Sequence, residues 1–241
     1  MPATARYGFS AKPATTGWGV GRIAQAWDTL MSHLGYDRFG AQGGDWGAAV
    51  TTQIGRNRGH CAAIHVNMPL AAPPSGIEDP TEEERQALAA LAHHQKWDSG
   101  YSKQQSTRPQ TLGYALADSP VGQLAWIIEK SWSWTDCGGH PENVLSRDEL
   151  LDNVMMYWAT DSGASSARLY WESFGGIGAG SPGRVELPTG VAAFPKEILR
   201  PPRHWCEAAY HITRWTGGHF AAFEQPELFV DDVRAFFATV R

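Results

Sequence analysis

The chain has 241 residues, 42% of them hydrophobic and 19% charged, with a formal net charge of −5 at pH 7, the make-up of an ordinary soluble globular protein of one domain, with room for a subdomain. Mild acidity without a basic stripe leaves no electrostatic footprint for nucleic acid, and no run approaches the ~18 apolar residues of a membrane span. Three cysteines (Cys61, Cys137, Cys206) without C-x-x-C spacing exclude a disulfide framework and a zinc ribbon. With no leader-like start, the expected location is cytoplasmic.

In chain order, Trp18, Ile23, Trp27, Leu30, Met31 and Leu34 recur at helical spacing over 18–34, with Gly35 placed as a C-cap. Tyr36 to Gln42 is strand length and runs into Gly43-Gly44, after which Trp46 to Ile54 can be helical. A second strand over Ala62 to Val66 completes a βαβ pattern. From Pro69 to about Gly183 the pattern turns helical, at Glu82–Leu91, Pro120–Trp132, Arg147–Tyr157 and Ser165–Trp171. Ser146 with Glu149 forms a capping box, and Ser119-Pro120 a cap followed by a first-turn proline. Strand-like pieces return at Val185–Phe194 and Ala209–Trp215, before a closing helix from Pro226 to Val240. The expected architecture is an α/β core, residues 1–68 and 184–241, interrupted by a helical lid over 69–183.

Two motifs carry no chemistry. "GGIGAGSPG", 175–183, contains a formal G-x-G-x-x-G but neither follows a strand nor opens a helix, so a linker is expected rather than a dinucleotide site. His93-His94 read as a solvated helix face, since adjacent helical positions do not converge on one metal. No cofactor and no metal are expected.

"GGDWG", 43–47, fits the small-x-nucleophile-x-small turn of a nucleophile elbow, with Asp45 in place of serine. A carboxylate is ionised at neutral pH and can attack an sp³ carbon, giving an alkyl-enzyme ester. Epoxides and alkyl halides are the matching electrophiles; the alternative is that Asp45 only caps the next helix. Late in the chain, "RWTGGHFAAFEQPELF" sets His219 on a loop, and "FPKEI" offers Glu197 between the two. Asp45, Glu197 and His219 thus follow the order nucleophile, acid, histidine. Histidine can take a proton from water near neutrality, and a buried carboxylate on its far nitrogen would fix the tautomer. A surface glutamate is the alternative for Glu197.

These residues carry a resemblance. "YDRFGAQGGDWGAAVTTQIG", "HVNMPL", "STRPQTLGYALADSPVGQLAWIIEK", "LYWES", "PTGVAAFPKE" and "GGHFAAFEQPEL" resemble, in order, stretches of the epoxide hydrolases of the microsomal type, including bacterial members. The resemblance implies the α/β-hydrolase fold with a helical lid, an epoxide and water as reactants, Asp45 as nucleophile, Glu197 as acid and His219 as base. It also implies two proton-donating lid tyrosines, which fall on Tyr101 and Tyr170. A phenol with pKa ~10 can hydrogen-bond the epoxide oxygen and then supply the proton.

The resemblance starts beyond the family's N-terminal meander and first core strands. Their H-G-W-P segment, which helps bind the oxyanion, has no counterpart here, and the amide of Trp46 is the donor that can be identified. Losing one such donor typically costs ~10²–10³ in rate. Residues 36–42 would be the fifth of eight strands, so the expectation is a truncated chain with an exposed sheet edge able to pair with another copy. Three readings stand at this point: an epoxide hydrolase, a haloalkane dehalogenase sharing the aspartate elbow, and an inactive remnant of the family.

Overall fold

The computed structural model describes residues 5–71, 73–74, 76–174, 184–206, 210–214 and 216–240; the glycine-rich stretch 175–183 lies outside them. The chain divides into two compact units, one comprising Met1–Ile23, Ser99–Ser133 and Cys137–Gly183, the other Ala24–Asp98, Trp134–Asp136 and Arg184–Arg241.

The second unit is built on four parallel strands in the order β1 (Phe39–Gly43), β2 (Cys61–Val66), β3 (Thr189–Ala193) and β4 (Tyr210–Thr213). Parallel pairing demands crossovers. α2 (Trp46–Asn57) provides the first and buries Ala48, Ala49, Val50 and Ile54, its sheet-facing stripe. β2 buries all but one of its residues, as a strand packed on both faces should. Phe236 of α10 (Pro226–Ala238) is fully buried and packs on His65 of β2. Both ring nitrogens of His65 lack hydrogen-bond partners; burial pulls its pKa down to about 4 against the opposing charge of Asp232, so it stays neutral as an apolar filler. β1 forms one edge of the sheet among the described residues.

α1 (Val20–His33) ends at Gly35, φ +81°, a left-handed C-cap. α3 (Glu82–His93) begins with a Thr81/Glu84 capping box and runs into a π-helical turn, His94–Asp98. Here the reading of adjacent solvated histidines needs correction. His93 is exposed, but His94 is half-buried with its ring 6.3 Å from that of Trp134, because the π-turn changes the direction of the side chains after His93.

The first unit is helical: α4 (Gly100–Thr107), α5 (Pro109–Asp118), α6 (Pro120–Trp134, which ends in the second unit), α7 (Arg147–Trp158) and α8 (Gly163–Ser173). The Ser146/Glu149 box is formed, and the Ser119 hydroxyl accepts the Gly122 amide. α4 and α5 escape sequence pattern because neither buries a full apolar stripe: α4 buries the polar Ser102 and Gln105, and α5 buries Gly113 and the single large apolar residue Leu116. Residues 6–17 are fastened to α8 by Glu172, which pairs with the buried Arg6 at 2.9 Å and accepts the Gly17 amide.

Phe236→Ala should lower unfolding free energy by about 3–5 kcal/mol, as for other buried phenylalanines. A urea titration reads the loss as a lower midpoint.

Candidate active site

Three loops leave the carboxyl ends of parallel strands, and each carries one candidate residue. The first is the elbow. Asp45 sits between β1 and α2 at φ 49°, ψ −127°, a backbone conformation that costs a non-glycine residue about 1–3 kcal/mol. The turn is so tight that a Cβ on Gly43 would lie 2.1 Å from the Gly47 carbonyl oxygen, and one on Gly44 2.6 Å from Asn67 Oδ1. Gly47 itself faces open space; the steric requirement falls on the two leading glycines. Asn67, just after β2, is buried and accepts a hydrogen bond from Gln42 at 3.1 Å, walling the elbow. Asp45 stands at the N-cap position yet makes no side-chain capping bond, which removes the helix-cap alternative.

Its carboxylate turns to the histidine instead. His219 Nε2 lies 3.0 Å from Asp45 Oδ2, and Nδ1 lies 2.6 Å from Glu197 Oε1. Glu197 Oε1 also accepts the amide of Ile198 at 2.8 Å. A parallel bridge between Lys196 and Gly218 brings the two loops side by side. The side chains of His219 and Glu197 are 3% and 1% exposed, whereas that of Asp45 is 41% exposed. Glu197 is therefore no surface acid, and of the three groups Asp45 alone is open to an incoming molecule.

Burial by itself would lower the His219 pKa, but the charge of Glu197 and hydrogen bonds to Asp45 and Glu197 reverse the sign and raise it to about 10. The imidazole is then a cation held between two carboxylates at neutral pH. The rings of Trp134 and Phe220 meet it edge-on at 5.1 and 4.9 Å, keeping its surroundings apolar. Within the first unit, the rings of Tyr101 and Tyr170 meet at 5.8 Å, nearly perpendicular, and Lys130 Nζ lies 4.7 Å above the Tyr101 ring.

No family model matches the chain. A Stigmatella aurantiaca (strain DW4/3-1) protein provisionally named an epoxide hydrolase is 49% identical over 248 residues, covering 100% of this chain and 56% of its own. Epoxide hydrolase 1 of Sus scrofa is 36% identical over 269 residues, covering 98% of this chain and 58% of its own. The crystal structure of juvenile hormone epoxide hydrolase from the silkworm Bombyx mori superposes with a TM-score of 0.87 at 30% identity, over 100% of this chain and 63% of that one. This chain is a homologue of the epoxide hydrolases. It has their α/β-hydrolase fold, and spans between 56% and 63% of the length of these relatives.

Relative to that family, sequence reading missed what lies around the site: Trp134, Asn67, and the carboxylates of Asp136 and Glu224. Each stands at a position with no motif of its own. The prior hints are that Asn67 sits inside the quoted "HVNMPL" stretch and Glu224 inside "GGHFAAFEQPEL". Among the described residues, no group of three or more His, Cys, Asp or Glu side chains is arranged to hold a metal ion, and no helix is long and apolar enough to cross a membrane.

Asp45→Asn removes one charge and one acceptor from the imidazole, so the His219 pKa should fall from about 10 toward 6.5, as read by NMR titration of the ring. Because the folded value lies above the ordinary one, protonation of His219 stabilises the fold fully below pH 6.5, and that contribution is lost as pH rises through about 10. Urea midpoints should therefore drop over that window, and drop less in Asp45→Asn.

Proposed function

We propose that the chain hydrolyses an epoxide to a vicinal diol through an alkyl ester on Asp45. The observation that carries the reading is a half-exposed carboxylate at the apex of a strained turn, 3.0 Å from an imidazole whose other nitrogen is held by a buried glutamate.

In the first step an Asp45 oxygen attacks an epoxide carbon from the face opposite the C–O bond. That bond breaks and its electron pair goes to the departing oxygen, which takes a proton from a phenol. The proton is assigned to Tyr101 and Tyr170 by similarity to the family, and residues 69–183 are read as the lid that holds them. In the second step His219 removes a proton from water while the water oxygen adds to the Asp45 carboxyl carbon. The tetrahedral oxyanion is met by the amide of Trp46, the first residue of α2, where helical N–H groups have no intrahelical acceptor. Its collapse expels the diol oxygen, which takes the proton from His219. Asp45 is left as the carboxylic acid; it passes its proton to His219, restoring the ion pair, and solvent reprotonates the phenolate.

The raised pKa of His219 fits this division of labour. With Asp45 charged, the imidazole holds its proton and cannot act as base. Esterification neutralises Asp45, removing its charge and weakening its hydrogen bond, two of the causes that raise the pKa. Proton affinity then falls, and the imidazole releases its proton to solvent, leaving a neutral ring when a base is needed. No cofactor enters any step. The three cysteines are unpaired, which suits a reducing compartment such as the cytoplasm.

Single-turnover mass spectrometry with styrene oxide tests the reading. The Asp45 peptide of His219→Gln should gain the substrate mass and keep it, because only the second step needs the imidazole. A peptide that stays unmodified in both parent and variant would overturn the proposal, and modification by a bromoalkane but not by the epoxide would shift it to dehalogenation.

A further inference from the structure

A second pair of carboxylates, unused in the reaction above, holds the loop that carries His219. Glu224 of α9 (Ala221–Glu224) is 8% exposed, and both of its oxygens are engaged. Oε1 accepts the Phe220 amide at 3.1 Å, and Oε2 accepts the Asp136 amide at 2.7 Å. Asp136 Oδ2 in turn accepts the Gly217 amide at 3.1 Å, while the Trp134 carbonyl accepts the amide of His219 itself at 2.9 Å. The amides of residues 217, 219 and 220 thus all end on Trp134, Asp136 and Glu224. All these residues fall in the second unit.

Burying a carboxylate is costly, and burial here raises the proton affinity of the Glu224 carboxyl, with the nearby Asp136 charge adding to it and the amide bonds opposing. An acid kept in such a place needs a return, and the return is geometric. His219 has to satisfy Glu197 at 2.6 Å and Asp45 at 3.0 Å through opposite nitrogens. A displacement of 1 Å toward either partner breaks the bond to the other. We propose that Glu224 is a positioning residue for His219, setting the imidazole between Asp45 and Glu197 by tying the amides of Phe220 and Asp136 to one carboxylate. The kinetic consequence rests on the reaction proposed above; the structural one does not.

Glu224→Gln tests this at constant size, because an amide NH2 replaces one of two acceptors and faces a backbone N–H. The ring of His219 is followed by NMR titration. Its pKa should fall below that of the parent as the bonds that raise it lengthen, and an unchanged titration would overturn the proposal. In single turnover with styrene oxide, alkylation of Asp45 should stay within about threefold of the parent while ester hydrolysis slows ~10–10²-fold, so that ester accumulates. Equal slowing of both steps would mark a merely structural residue and overturn the inference, as would no change in either. Should Glu224→Gln melt below the assay temperature, Asp136→Ala, which strips the Gly217 amide of its acceptor at a half-buried position, is read in the same two ways. If the parent itself forms no ester, the reaction is wrong, and the NMR arm still decides the positioning role.

Discussion

One imidazole shared by two carboxylates sets the terms for the rest of this molecule. A buried histidine would shed its charge, and a carboxylate buried to 1% exposure would be unfavourable alone. Together they are mutually compensating, since the cation on His219 sits between Glu197 and Asp45. The asymmetry is what makes the arrangement chemically directional. Glu197 is sealed in and bound also to the Ile198 amide, whereas Asp45 faces outward, its side chain 41% exposed.

The parallel sheet supplies this geometry. Strands running the same way deliver the ends of β1, β3 and β4 to one edge, where ligands bind in open α/β sheets, and residues distant in sequence meet there without any local signal. At the elbow, backbone strain is sustained because the surrounding packing leaves no alternative path: α2 is buried against the sheet, and the bend is closed on one side by Gly47 and on the other by Asn67. Strain of this kind persists where the neighbouring structure over-determines it.

Much of the framework was readable in the chain. The βαβ start, the capping box at Ser146 and Glu149, the glycine that ends α1 and the order Asp45, Glu197, His219 all follow from local rules, because turns, caps and amphipathic stripes are encoded over a few residues. α4 and α5 were not readable, since α4 buries only Ser102 and Gln105 and α5 only Gly113 and Leu116, too few apolar positions to make a periodic stripe. His94 was misread because a π-turn has no distinct composition.

The sequence by itself determined the chemistry that is available: an aspartate in a glycine-tight turn, a late loop histidine and an acid between them, with no apolar run or metal-ligand spacing to compete. Tertiary structure alone decided that Asp45 serves the imidazole rather than capping its helix, that Glu197 is buried rather than on the surface, and that Trp134, Asp136 and Glu224 gather around the histidine loop. The physical reason is the range of the forces involved. Caps and turns act between neighbours along the chain, whereas burial, charge coupling and the closing of a hydrogen-bond network depend on distances that exist only once strands far apart in sequence lie side by side.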